Sequence, residues 1–299
     1  SVETIELDQK LYIEQWAVDR IKPKYVEKSA FVNKSAISVV PAAVNVYVVD
    51  TGIWTQHGEF DRRATIGFSL FDNRFGADCN GHGTQVASLI GGQSIGIAPG
   101  VNLIGVQAMD CDGSGSVANM LKALDWVKAN AQKPAIVNMS FNGIKSDILD
   151  KAIDGLIDFG ITVVAAAGNS GCDACNRSPS DSSKAIIVGA SDKEDRRAKF
   201  SNYGRCITLF APGCNILAAS VPFTPKSMFS PAPGQFVDKS ALGAIQVHPS
   251  DRYVNTSGTS FAAPFVTGSL ALLLSKNSSL NPFELREKLL KGSQCNALQ

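Results

Sequence analysis

The side chains able to do chemistry in this sequence lie at three distant points. They are Asp50 in Val48-Val49-Asp50-Thr51-Gly52, His82 in Asn80-Gly81-His82-Gly83-Thr84, and Ser260 in Ser257-Gly258-Thr259-Ser260-Phe261-Ala262-Ala263-Pro264. A serine just past a Gly-Thr turn, leading into the apolar run Phe265 to Leu274, has its hydroxyl at the mouth of a helix and faces the positive end of the dipole. That is a place to build a nucleophile; the competing reading is an ordinary N-cap, for which Ser and Thr are the preferred residues. Nucleophilic serine chemistry calls for a base, and the chain has three histidines. His82 is flanked by glycines that let a neighbouring backbone come close. His57, in Gln56-His57-Gly58-Glu59, and His248, beside Pro249, read as structural or solvated. An aspartate at the C-terminal lip of a strand is where open α/β sheets place ligands and chemistry, although an aspartate opening a turn is also common structure.

These points are held apart by elements that the residue pattern makes legible. Val44 to Val49 is a nearly continuous β-branched run and predicts a buried parallel strand ending at Asp50. Further strands are predicted over 101–108, 135–139, 161–166 and 185–190, with an extended segment near Thr208-Leu209-Phe210. Helices are predicted over 85–90, 116–131, 146–159, 261–275 and 282–290. In the second of these helices, Met120, Leu121, Leu124 and Val127 are spaced for one buried face. Alternation of this kind predicts an α/β fold, a mostly parallel central sheet with helices on both faces.

No internal repeat or linker divides the chain, so residues 1–299 are expected to form a single domain. Residues 1–40 read as an irregular segment anchored by Trp16 and Ile21, with Lys22-Pro23-Lys24 ending any local helix. The proline-rich stretch 220–250 reads as a loop insertion. Composition is 44% apolar and 18% charged with a formal net charge of +1, which gives no support for a nucleic-acid partner, and no apolar run is long enough to span a bilayer. Seven cysteines suit an exported protein, and an odd count leaves at least one unpaired in a monomer. Cys172-Asp173-Ala174-Cys175 formally matches a metal or redox pair, but no second pair or nearby histidine completes a metal site. The chain begins at Ser1 without a signal-peptide pattern and is expected to be a mature fragment or an expressed portion of something longer.

At Asp-Thr-Gly, Gly-His-Gly-Thr and Gly-Thr-Ser-Phe-Ala-Ala-Pro the sequence resembles the subtilisin-like serine peptidases, in particular the proteinase K and aqualysin branch. The resemblance covers about residues 16–290 and extends to Asp112-Gly113-Ser114-Gly115-Ser116, Phe200-Ser201-Asn202-Tyr203-Gly204 and Ala211-Pro212-Gly213. It implies a subtilisin-like fold and an Asp-His-Ser triad: Ser260 as nucleophile, His82 as general base and Asp50 holding the imidazole. Asn169 is implied as the oxyanion donor together with the Ser260 N–H. Substrate is implied to bind as an added strand between Gly113-Ser114-Gly115 and Ser140-Phe141-Asn142-Gly143, with Ala167 and Gly168 beside the oxyanion residue.

Four departures from the family pattern matter. Asn142 stands where a glycine usually lines the S1 wall, which places specificity for large apolar P1 residues in question. Gln85 and Phe261 replace a usual histidine and methionine without removing a triad group. Thr208 replaces an aspartate of a calcium site, so that structural site is expected to be weak or empty. The 220–250 stretch is longer than its counterpart.

The resemblance pairs Cys79 with Cys111 and Cys175 with Cys206, and Cys172 with Cys214 is a plausible third bridge that leaves Cys295 as the odd thiol. Further expectations are a secreted, monomeric endopeptidase that needs no cofactor for its chemistry. Its partners would be protein and peptide substrates and its own propeptide as inhibitor and chaperone, with no nucleic acid or membrane partner. The rival expectation is a subtilase-like regulatory protein that has lost turnover.

Overall fold

The structure is a computed structural model that describes residues 16–21, 44–71, 78–222, 252–294 and 297–298. Short 3-10 turns aside, the elements in chain order are α1 (Trp16–Ile21), β1 (Asn45–Asp50), β2 (Ala64–Ser69), α2 (His82–Gly91), β3 (Asn102–Gln107), α3 (Val117–Asn130), β4 (Ala135–Met139), β5 (Gly143–Ile144), α4 (Asp147–Asp158), β6 (Thr162–Ala166), β7 (Arg177–Ser178), β8 (Ile186–Ser191), β9 (Leu209–Pro212), β10 (Ile216–Ser220), β11 (Arg252–Thr256), α5 (Thr259–Lys276) and α6 (Pro282–Gly292).

Alternation along β1 divides the core into two layers. Val46 and Val48 point into a cluster with Val86 and Ile90 of α2 and with Ala263, Val266 and Leu270 of α5. Tyr47 and Val49 point the other way, onto Met120, Leu124 and Val127 of α3 and Leu149, Ile153 and Leu156 of α4. A strand buried on both faces must be apolar at successive positions, which is why the run lacks a polar alternation. Each fully buried valine or isoleucine contributes about 1.5–3 kcal/mol.

The main sheet has seven strands in the order β2-β3-β1-β4-β6-β8-β9, and every neighbouring pair is parallel. The C-terminal strand ends therefore share one edge. β1 ends there at Asp50, and the segments 108–115 and 140–142 leave its two neighbours, β3 and β4. β6 delivers 167–170 one strand further along. This arrangement is a mostly parallel central sheet covered by helices on both faces, as the pattern predicts.

Some elements differ from the expectation. Trp16–Ile21 is helical inside the segment expected to be irregular, and these six residues are the described part of that segment. Its Trp16 and Ile21 pack on a satellite cluster with Phe261, Phe265 and Ile216. Trp16 also donates its indole N–H to Cys214 O at 3.3 Å. β2 escapes the sequence reading because it is an exposed edge strand whose pairing with β3 slips between Ile66 and Phe68, so no clean period survives. The bulk of the 220–250 stretch lies outside the described residues, but β10 and β11 on either side pair antiparallel, Ser220 opposite Arg252. Among the described residues no helix is long and apolar enough to cross a membrane.

Cys79 is bonded to Cys111, and Cys175 to Cys206. In the chain-entropy picture each contributes about 3–4 kcal/mol. The third pairing is corrected: Cys172 and Cys214 are free thiols. The Cys172 sulfur donates toward Asn202 Oδ1 at 3.5 Å, while Cys214 packs on the core cluster beside β9, where burial pushes its thiol pKa up. Cys295 lies outside the described residues. Cys175 and Cys206, with Asp181, form the group whose geometry is closest to a metal site among the described residues. With both sulfurs joined to each other, no thiolate remains there to ligate.

Candidate active site

Asp50 closes β1 with its side chain fully buried. Its Oδ1 accepts from the Thr51 N–H at 2.7 Å and faces His82 Nδ1 at 2.8 Å. A carboxylate can only accept, so the imidazole proton sits on Nδ1 and leaves Nε2 as the basic nitrogen. Asp50 Oδ2 is buried without a donor among the described residues, so the imidazolium is the natural counter-charge for this carboxylate.

His82 is the first residue of α2. Gly83 explains how the imidazole comes so close to β1. A Cβ there would lie 2.0 Å from Gly52 O and 3.2 Å from Asp50 Cβ, so only glycine lets the first turn of the helix touch the Asp50 turn backbone to backbone. Burial of the ring works against the charged imidazole, but the Asp50 charge, its hydrogen bond and the more distant Asp78 charge outweigh it, and the pKa is raised above 6.5. A raised histidine pKa means that the pair adds stability below the unfolded pKa and loses that contribution as pH rises through the folded value. For base chemistry the sign is opposite: the neutral ring appears only above the raised pKa.

Ser260 is the second residue of α5, whose N-cap is Gly258 with no side-chain cap, so the N-cap reading of this serine fails. The adjacent Phe261 ring lies 5.5 Å from the His82 ring, which brings the start of α5 against the imidazole. Four residues on, Pro264 has no N–H to give to the Ser260 carbonyl, as an ordinary helical residue would. The Ser140 hydroxyl supplies the missing donor at 2.8 Å. Ser140 in turn accepts from Asn138 Nδ2, and Asn138 Oδ1 accepts from Thr267, all fully or almost fully buried. A polar chain thus runs from β4 to the backbone of the candidate nucleophile.

Asn169, just beyond β6, accepts from both the N–H and the hydroxyl of Thr259 through Oδ1, at 2.9 and 2.8 Å. With that oxygen saturated by an obligate backbone donor, the amide nitrogen is left as the donor of the pair, against the Gly258–Thr259 turn that leads into Ser260. Thr259 also accepts from the Gly168 N–H at 3.0 Å. Asn202 holds the same loop: its Nδ2 donates to Ala167 O at 2.7 Å and its Oδ1 accepts from the Ser170 N–H at 3.0 Å. At Gly168, φ is +99° and a Cβ would meet Asn142 Oδ1 and Asn202 Nδ2 at 2.5 Å, so a side chain is excluded twice over.

The two expected substrate strips leave the strands on either side of β1. Gly113, Ser114 and Gly115 form a turn whose Asp110 Oδ1 accepts from the Ser114 N–H at 2.8 Å. On the other side Ser140, Phe141 and Asn142 follow β4, and Gly143 pairs with Ser178 of β7. The Asn142 side chain lies beside Gly168, where its Nδ2 donates to Ser180 Oγ at 2.9 Å. Thr208, the position at which the resemblance leads one to expect a calcium carboxylate, uses its hydroxyl to accept from the Ile187 N–H at 3.0 Å. A neutral and already engaged oxygen is a poor ligand for a hard cation.

The geometry gives roles to residues to which the sequence reading assigned none: Asn138, Thr267 and Asp78 outside the quoted motifs, and Thr259 and Asn202 within them. An amide in the apolar strand Ala135-Ile136-Val137-Asn138-Met139 was a visible signal, since a buried amide must find partners. Thr259 lies inside the serine motif but there looks like an ordinary turn residue, and nothing in the sequence neighbourhood of Asp78 sets it apart from ordinary turn chemistry.

Comparison with known proteins gives one consistent result. Residues 42–297 match the family described as Subtilase family. The chain is 41% identical over 285 residues to "Extracellular serine proteinase" of Thermus sp. (strain Rt41A), covering 95% of this chain and 62% of that protein. It is 38% identical over 271 residues to "Alkaline serine exoprotease A" of Vibrio alginolyticus, covering 90% of this chain and 45% of that protein. The chain thus spans less than two thirds of the length of either relative. Among solved structures, that of a cold adapted subtilisin-like serine proteinase superposes with a TM-score of 0.78 at 36% identity, covering 95% of this chain and 93% of the other.

Proposed function

The chain belongs to the subtilase family of serine proteinases, and from that premise we propose that it is an endopeptidase acting through an acyl-enzyme at Ser260. His82 Nε2 takes the proton as the hydroxyl attacks the scissile carbonyl. Asp50 stabilises the imidazolium, and the same proton passes to the leaving amine. Water then repeats the sequence on the ester. The tetrahedral oxyanion is met by Asn169 Nδ2 and by the Ser260 N–H, one of the donors that the first turn of α5 cannot satisfy internally. Acyl transfer by this route needs no cofactor. The observation that carries the reading is the Asp50–His82 contact of 2.8 Å, made by a fully buried carboxylate.

Substrate lies as an extended strand between 113–115 and 140–142, which serve as its two backbone edges. The proteinase K-like assignment rests on the motif resemblance, while secretion is supported by two disulfides and by the relative named an extracellular serine proteinase. A monomer that is inhibited and folded by its own propeptide completes the proposal. Incubation of the purified protein with an unstructured protein substrate tests it: the endopeptidase reading expects internal cleavage, and a regulatory protein would give none.

Two further results are expected. Asn169→Ala should lower kcat by about 10²–10³ with KM nearly unchanged, the magnitude already measured for this kind of donor in subtilisin. A comparable rise in KM would instead mark Asn169 as a ground-state binding group. Asn142→Gly should raise kcat/KM for a phenylalanyl P1 relative to an alanyl P1 by about tenfold, because the amide bridge to Ser180 narrows the floor. An unchanged ratio across a P1 peptide series would show that Asn142 lies outside the pocket.

A further inference from the structure

Asp78 is fully buried, four residues ahead of His82, and has no part in the proton transfers described above. Its Oδ1 accepts from the Thr51 hydroxyl at 2.8 Å, the Asn80 N–H at 3.0 Å and the Gly81 N–H at 2.7 Å. Oδ2 accepts from the Thr84 N–H at 2.8 Å and from the Thr84 hydroxyl at 2.7 Å. Burial pushes the carboxyl pKa up and outweighs the opposing hydrogen bonds from Gly81, Thr84 and Thr51; the Asn80, Gly81 and Thr84 N–H groups can only donate, so both oxygens are held as acceptors.

Each partner belongs to a segment that carries the site. Thr51 follows Asp50, and its hydroxyl, while donating to Asp78, accepts from the Gly83 N–H at 3.0 Å. Thr84 follows Gly83 and accepts from the Trp54 N–H at 2.9 Å. Gly81 precedes His82, and Cys79 ties the same turn by its disulfide to Cys111, beside the 113–115 strip.

We propose that Asp78 is a positioning residue of this site: its buried carboxylate clamps the Asp50–Thr51 turn to the first turn of α2 and so fixes the imidazole against Asp50. The proposal rests on the reading of His82 as general base. Asp78 also acts on the imidazole as a second negative charge, behind Asp50. From α5 the ring is faced by Phe261, which carries no charge, and Asp50 and Asp78 are the charges that act on its titration.

The test compares wild type, Asp78→Asn and Thr51→Val, each checked for a native urea midpoint before kinetics. Asp78→Asn is expected to lower kcat by about 10–100-fold, the scale of a small misplacement of reacting groups, with KM within about twofold. It should also move the acid limb of kcat/KM to lower pH. Thr51→Val keeps the charge and cuts the link to Gly83, so kcat falls while the acid limb stays in place. Wild-type kcat in either variant, or an unshifted acid limb in Asp78→Asn, overturns the proposal.

Should Asp78→Asn fail to fold, Thr51→Val alone decides the matter by its kcat. Imidazole titration by NMR in a Ser260→Ala background separates this proposal from the function reading, since it needs no turnover. A His82 pKa that falls on Asp78→Asn supports the clamp even if the protein hydrolyses nothing, and an unchanged pKa sinks it even if the protein is an active peptidase.

Discussion

Ser260→Ala is expected to reduce kcat on a peptide substrate by about 10⁶, the loss already measured in subtilisin for removal of its nucleophile. The size follows from what the substitution leaves behind. Asn169, the helix N-terminus and the substrate strips remain, but with no nucleophile they act only on direct attack by water. Little structural change should accompany the loss. Ser260 makes its backbone contact to Ser140 through its carbonyl, which alanine retains, and the polar chain through Asn138 and Thr267 is untouched. A urea midpoint close to wild type, together with lost hydrolysis, assigns the effect to chemistry. Residual turnover within tenfold of wild type would place the nucleophile elsewhere.

Asp50→Asn should be the next most damaging change, at about 10⁴ in kcat, the figure known for the corresponding change in a serine protease of unrelated fold. The amide oxygen can take the Oδ1 position and keep accepting from the Thr51 N–H and from His82 Nδ1, or the NH₂ can take it, which strands the Thr51 N–H and moves the imidazole proton to Nε2, where it blocks acceptance from the serine. In both arrangements the charge that stabilises the imidazolium is lost. Since Asp50 is the larger of the two carboxylate contributions holding the His82 pKa up, the imidazole should titrate at lower pH in the variant, and the acid limb of any residual activity should move with it. Proton NMR of the imidazole checks this independently of rate. An Asp50→Asn protein with wild-type kcat would show that the buried carboxylate is structural.

Much of this was legible because the elements that carry the site are the most regular ones. The β-branched run before Asp50 could only be a doubly buried strand, and the flanking helices repeat their apolar residues at helical spacing. Glycines beside His82 announced a close approach, and Gly83 meets Gly52 O as that reading requires. What the sequence hid lay in pairings between distant residues. Thr51 and Asp78 are 27 positions apart and each looks like turn chemistry; only the fold makes them one clamp. The Cys172–Cys214 expectation followed from counting thiols, and counting takes no account of direction: Cys172 faces Asn202, whose oxygen gathers the loop beside Asn169. Edge strand β2 lacked a period because a half-exposed, slipped edge has no consistent inside. At Trp16 the described helical residues are held by contacts with Cys214 and the Phe261–Phe265 cluster, distant partners that the local sequence does not reveal.

The central claim is that Ser260 is the residue acylated during turnover. Reaction of the purified protein with a sulfonyl fluoride or an organophosphonate, followed by digestion and mass spectrometry, tests it without knowledge of the natural substrate. The expected result is one adduct per chain, on the peptide containing Ser260, with labelling abolished in Ser260→Ala and strongly slowed in His82→Ala. An adduct at another residue, or labelling of Ser260→Ala at the wild-type rate, would contradict it.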